Sequence, residues 1–131
     1  MPAAYADSSV IVAAFAPDEP AHASAKRWLT GEDPAIVTSV VTEVEVTRAL
    51  QRREIPAGVR ADAARLLARV TNVEITAEIR QLALQIRPAS LRTIDAIHVG
   101  TALLAGVSRF ATLDLRQRVA AEEMGLALVD F

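Results

Sequence analysis

Four carboxylates stand out by their surroundings. The chain carries sixteen Asp and Glu residues, and most lie in plainly polar settings. Asp18 and Glu19 sit between prolines, Glu32 and Asp33 in a turn cluster, Glu122 and Glu123 on a solvated helix face. Asp7, Glu45, Asp95 and Asp114 instead sit beside apolar or small neighbours, at element ends or on candidate inward faces. Glu43, Glu74 and Asp130 also have apolar neighbours, and Glu43 competes with Glu45 for the same role. Taken singly, Asp7 and Asp114 read equally as cap or turn residues, and Glu45 as the partner of Arg48. Asp95 is harder to explain that way, because LRTIDAIHVGTALLAG (91–106) is otherwise an apolar helix and a buried carboxylate is costly without a partner.

Carboxylates that converge repel one another unless a cation sits among them. A set of hard oxygen donors selects Mg²⁺ or Mn²⁺. Zinc is a poor fit, since the chain has no cysteine and only His22 and His98. Such an ion activates water and neutralises phosphoryl charge, the requirement for cutting a phosphodiester without a histidine base.

The elements that must position these acids follow from pattern and punctuation. Strands are expected at Ala3–Ala6, Ala35–Thr38, Val73–Ile75, Arg109–Thr112 and Leu126–Val129. Helices are expected at Ala21–Leu29, Val59–Val70, Ala77–Ile86 and Arg116–Met124, each with apolar residues at helical spacing. Asp7-Ser8-Ser9 reads as a turn or helix cap before the apolar run Val10–Phe15, which ends at Pro17-Asp18-Glu19-Pro20. Thr30-Gly31-Glu32-Asp33-Pro34 reads as a turn. Ser39–Arg53 has β-branched residues that favour a strand, but Val41, Glu45, Arg48 and Ala49 share one helical face, and a helix capped by Ser39 suits the alternation. Thr93 is the expected N-cap of the helix holding Asp95, and Gly106 its stop. Strands alternating with helices imply an α/β fold with a mainly parallel sheet. Ligands then gather beyond the carboxyl ends of the strands, where Asp7 and Asp114 fall.

Composition narrows the classes. At 131 residues with 52% hydrophobic content, the chain suits one domain with a sizeable core. Absence of cysteine excludes a disulfide framework and suits a reducing cytoplasm. The apolar start lacks a basic region and carries Asp7, unlike a signal peptide, and no run is long enough to span a bilayer. A net charge of −2 gives no general attraction to nucleic acid. Lys26 is the single lysine, so phosphate contacts would fall to arginines; Arg92 and Arg116 border the acid motifs, with Arg48, Arg52 and Arg53 as further candidates. No G-x-S-x-G elbow, P-loop or dinucleotide fingerprint occurs. A receiver domain would need a late lysine, and a haloacid-dehalogenase-like phosphatase an Asp where Ser9 stands.

The segments YADSSVIV (5–12), SVVTEVEVTRAL (39–50), TIDAIHVGTAL (93–103) and TLDLR (112–116) resemble the PIN-domain ribonucleases, specifically the VapC-type toxins of type II toxin–antitoxin pairs. The likeness runs end to end, in family order and spacing, so one PIN domain over residues 1–131 is expected. It implies an α/β/α sandwich with a short, mainly parallel sheet, and a helical Ser39 segment. It further implies that Asp7, Glu45, Asp95 and Asp114 form a metal-binding catalytic pocket for Mg²⁺, or Mn²⁺. Beside the resemblance, the residues themselves offer Ser8 and Ser9 as positioning groups at Asp7 or as helix caps, Thr112 as a polar support or a strand end, and His98 as a hydrogen-bonding neighbour of the site or a satisfied core histidine; Arg92 and Arg116 border the acid motifs and read as RNA phosphate contacts or as solvated surface charges. The implied activity is endoribonucleolytic cleavage of tRNA, rRNA or mRNA leaving a 5′-phosphate and a 3′-hydroxyl, with inhibition of translation in the cytoplasm. The implied partners are a VapB-type antitoxin and a second copy, with helices 21–29 and 59–70 as candidate surfaces. The alternatives are an inactive PIN-like binding module or another Mg²⁺-dependent phosphoryl hydrolase.

Overall fold

A computed structural model describes residues 3–32 and 35–131. In chain order the elements are β1 (Ala4–Ala6), α1 (Ser8–Phe15), α2 (His22–Glu32), β2 (Ile36–Ser39), α3 (Val40–Arg52), α4 (Ala57–Arg69), β3 (Thr71–Val73), α5 (Ala77–Gln85), α6 (Thr93–Ala105), β4 (Arg109–Ala111), α7 (Leu115–Glu123) and β5 (Ala127–Leu128). The strands form one sheet in the order β3-β2-β1-β4-β5. Every pairing is parallel, with Tyr5 opposite Val37 on one side and Phe110 on the other. This is the expected α/β architecture.

Period-two alternation divides β1 between two cores. Ala6 joins Ile11, Ile36, Val46, Leu50, Leu66 and Leu67 on the face covered by α1–α4. Tyr5 points the other way, with Phe110, Val99, Ala102, Ala120 and Ala121 beneath α6 and α7. The β-branched Ser39 segment is a helix because its every-fourth-residue spacing buries Thr42, Val46 and Leu50, and burial of that stripe outweighs a weak strand propensity. Ser39 caps it, its hydroxyl accepting from the Val41 amide at 3.2 Å.

Several boundaries differ from expectation. The turn expected over Thr30–Pro34 is helical as far as Glu32; Asp33 and Pro34 lie outside the described residues. The third strand is Thr71–Val73 rather than Val73–Ile75, because pairing with Val37–Ser39 sets its register. Thr93 is the first residue of α6, not its cap; the cap position is Arg92, which makes no side-chain capping bond. Gly106 does end α6, at φ 71°, a left-handed conformation that costs a glycine little.

Strand order reverses direction between β1 and β4. The chain moves outward from β1 through β2 to β3, then returns to β1's other side with β4. A crevice at such a reversal is where open parallel sheets bind ligands.

Candidate active site

Asp7 follows β1 directly and is the N-cap of α1, with Oδ1 accepting from the Val10 amide at 3.3 Å. Two hydroxyls complete its shell. Ser9 Oγ donates to Oδ1 at 2.6 Å and Thr112 Oγ1 donates to Oδ2 at 2.5 Å. Each hydroxyl is itself aimed by a backbone amide just beyond β4: Leu113 N–H donates to Ser9 at 3.0 Å and Asp114 N–H to Thr112 at 3.1 Å. Asp7 N–H also donates to the Ala111 carbonyl at 3.1 Å, fastening the end of β1 to the end of β4. Only 2% of Asp7 is exposed. Burial pushes its carboxyl above the usual carboxylate range, partly opposed by nearby His98 and by the hydroxyl and amide donors.

Asp114 caps α7, its Oδ1 accepting from the amides of Arg116 at 2.9 Å and Gln117 at 3.4 Å. Asp95 lies in the first turn of α6 and is buried. Three helix N-termini, those of α1, α6 and α7, therefore each carry one of these acids.

Two side chains tie the three aspartates together. The buried Gln117 amide, oriented with its nitrogen toward the carboxylates, donates to Asp7 Oδ2 at 2.9 Å and to Asp95 Oδ1 at 3.1 Å. Arg92 donates from Nε to Asp95 Oδ2 at 3.2 Å and from Nη2 to Asp114 Oδ2 at 3.3 Å. These pairs hold the Arg92 guanidinium in its charged form more firmly than usual. The fourth acid comes from the second turn of α3: Glu45 Oε1 is 2.7 Å from His98 Nε2. Glu43 is exposed, so the contact with α6 is made by Glu45. Glu45 and Asp114 line one groove of about 730 Å³ with Ser8, Ser9, Val41, Arg48, Arg52 and Arg92.

The donors are all carboxylate oxygens, a set that suits a hard divalent cation. As the side chains stand, no three Asp, Glu or His residues among those described are grouped to hold an ion. Arg92 already provides positive charge between Asp95 and Asp114, and its side chain is 73% exposed, free to swing aside.

Of the two serines read as neighbours of Asp7, with Ser8 preferred as the supporting residue, it is Ser9 whose hydroxyl reaches Asp7; Ser8 lines the groove. Thr112 and His98 each touch one of the acids. Arg92 meets two carboxylates, whereas Arg116 is exposed at the start of α7 and contributes its backbone amide to Asp114. Gln117 and Tyr5 were not anticipated. Gln117 was findable in principle as a polar residue on the same α7 face as the buried Ala120 and Ala121.

A PIN domain family model matches residues 4–123. The chain belongs to the PIN-domain family. This PIN domain is 37% identical over 131 residues to Ribonuclease VapC46 of Mycobacterium tuberculosis, covering 98% of each chain. It is 41% identical over 97 residues to Ribonuclease VapC35 of the same species, covering 71% of this chain and 70% of that one. Those relatives make it a VapC-type PIN domain. Its fold matches the crystal structure of M. tuberculosis VapC20, described as a sarcin–ricin loop cleaving toxin, with a TM-score of 0.75 at 22% identity over 90% of this chain and 95% of that one. It also matches a toxin–antitoxin complex from Klebsiella pneumoniae, with a TM-score of 0.74 at 19% identity over 98% and 97%. Among the described residues, no helix of this PIN domain is long and apolar enough to cross a membrane.

Proposed function

We propose that this VapC-type nuclease is an endoribonuclease toxin that hydrolyses RNA phosphodiester bonds with the aid of Mg²⁺, for which Mn²⁺ could substitute. The observation that carries the reading is the convergence of Asp7, Asp95 and Asp114 on the switch point between β1 and β4, linked through Gln117 and Arg92. Carboxylates gathered at one place repel one another unless positive charge sits among them, a place Arg92 takes as the side chains stand and a divalent ion could take in its stead. The ribonuclease names of relatives at 37% and 41% identity support the same activity.

Asp7, Asp95 and Asp114 would hold the ion, with Glu45 facing it from α3. When bound, the ion supplies an acidified water and neutralises charge on the scissile phosphate. The chain's own residues do the rest. Ser9 and Thr112 fix the two Asp7 oxygens in place. Gln117 sets the separation of Asp7 and Asp95. Arg92 releases Asp95 and Asp114, and its freed guanidinium sits beside the groove, where a phosphate would meet it. Arg48 and Arg52, one turn apart on α3, extend that positive lining and supply the local attraction that a net charge of −2 does not. Glu45 orients the attacking water. Cleavage would leave a 5′-phosphate and a 3′-hydroxyl, and loss of tRNA, rRNA or mRNA in the cytoplasm would arrest translation.

A VapB-type antitoxin is the proposed neutralising partner, and a homodimer the proposed assembly. Neighbours of the same fold include toxin–antitoxin complexes.

Incubating purified protein with RNA and Mg²⁺, with EDTA, and as Asp7→Ala tests the reading. Cleavage should need both the cation and Asp7. Cleavage that survives both EDTA and Asp7→Ala would overturn the metal mechanism. An intact protein that hydrolyses small phosphate esters but no RNA would point to a different phosphoryl hydrolase.

A further inference from the structure

Behind Glu45 runs a buried chain of polar contacts for which the site chemistry described above has no use. The Tyr5 phenol oxygen is 2.6 Å from His98 Nδ1, and His98 Nε2 is 2.7 Å from Glu45 Oε1. Tyr5 is wholly buried and His98 is 1% exposed. Three elements meet here: β1 carries Tyr5, α6 carries His98 and α3 carries Glu45. The ring planes are fixed by packing. Tyr5 stacks on Phe110 with centroids 5.2 Å apart at 11°, and meets the His98 ring edge-on at 5.7 Å and 65°.

The direction of these hydrogen bonds follows from counting hydrogens. A carboxylate only accepts, so the His98–Glu45 contact needs a hydrogen on Nε2. The Tyr5 phenol is neutral in the physiological range and has one hydrogen to give. Thr38 and Thr42 also lie near the phenol, Thr38 donating to the Ala6 carbonyl at 2.7 Å and standing 2.8 Å from the Thr42 hydroxyl, and a hydroxyl is a far weaker base than an imidazole. The imidazole nitrogen is the most basic acceptor left for the phenol hydrogen. Tyr5 thus donates to a bare Nδ1, and the proton of the imidazole is confined to Nε2.

We propose that His98 is a positioning residue: its tautomer is fixed by Tyr5 on one ring nitrogen and Glu45 on the other, and its Nε2–H holds the Glu45 carboxylate in the groove beside the aspartates. The need for a tether is electrostatic. Glu45 is half-buried on a helix with water on its open side, and repulsion from Asp7, Asp95 and Asp114 drives an untethered carboxylate outward. A buried imidazole at 2.7 Å opposes that. Hydrogen-bonded support of this kind behind a carboxylate site changes activity or metal affinity by roughly 10–100-fold when removed. The role of Glu45 rests on the nuclease reading above; the His98 tautomer does not.

Two experiments separate the proposal from that reading. Long-range ¹H–¹⁵N NMR of the full chain at pH 8 in EDTA should show His98 protonated on Nε2 with Nδ1 bare, and removing both restraints, as Tyr5→Phe with Glu45→Ala, should let the two tautomers mix. A proton on Nδ1 in the unaltered protein would overturn the proposal, whether or not any RNA is cut. In RNA cleavage with Mg²⁺, His98→Ala should lower kcat by about 10–100-fold with little change in KM, and His98→Gln should recover part of the loss through its own N–H. With Glu45→Ala already present, His98→Ala should add nothing further. Independent, multiplying losses would mean that His98 merely supports the fold. Unaltered protein that cuts no RNA would sink the nuclease reading and leave the tautomer result standing.

Discussion

Arg92 Nη2 lies 3.3 Å from Asp114 Oδ2, although the two residues are 22 positions apart, and Nε of the same guanidinium lies 3.2 Å from Asp95 Oδ2. One exposed arginine therefore spans two carboxylates proposed to hold the metal. Exposed ion pairs of this sort are each worth about 0–1 kcal/mol, so Arg92 is a weak competitor for the site. Arg92→Ala should tighten Mn²⁺ binding by up to about thirtyfold in calorimetric titration, while weakening the protein's hold on RNA. Unchanged or weaker Mn²⁺ binding would show that Arg92 and the ion do not compete.

Asp7 should make the metal-free protein sensitive to pH in an unusual direction. Its carboxyl is raised by burial, so on titration from acid the unfolded chain loses that proton first. Stability from this group is complete below the ordinary carboxylate range and is lost as pH rises through the folded value. Asp7→Asn removes the titration. In EDTA its melting temperature should exceed that of the parent at pH 8, with the gap closing toward pH 4, while RNA cleavage is lost. A gap that widens in acid would contradict the assignment.

Thr112 both donates to Asp7 and accepts from the Asp114 amide, at a position with no exposure. Thr112→Val keeps the shape and deletes both bonds, leaving buried polar groups unmet. The expected loss is about 1–3 kcal/mol of stability in urea unfolding, accompanied by a fall in cleavage. Thr112→Ser should retain most of both.

Gly100 lets α6 approach α5 closely. A Cβ there would stand 3.3 Å from the Ile79 carbonyl oxygen and 3.4 Å from the Ala83 nitrogen, both backbone atoms that cannot turn aside. Gly100→Val should cost about 1–3 kcal/mol through overpacking, measured as a lower urea midpoint with an unchanged slope. Because α6 carries Asp95 and His98, cleavage should decline with it.

Much of this was legible in one dimension. Period-two and period-3.6 patterns placed the elements, Asp7 and Asp114 could be read as caps, and Asp95 was conspicuous as a charge inside an apolar helix. Element edges were less legible: β3 sits where pairing with β2 places it, and Thr93 yielded the cap position to Arg92. The serine at Asp7 was misjudged by one residue, since helix geometry sends Ser9, not Ser8, back toward the cap.

The sequence by itself determined the α/β class, the apolar faces and the presence of acids at element ends, because these depend on local periodicity and on the chemistry of single residues. Tertiary structure alone decided which side chains meet. Gln117 bridges Asp7 and Asp95, Tyr5 reaches His98 across 93 positions, and Glu45 rather than Glu43 turns toward α6. Those contacts depend on strand order and on the angles at which helices cross the sheet, and no spacing along the chain encodes either.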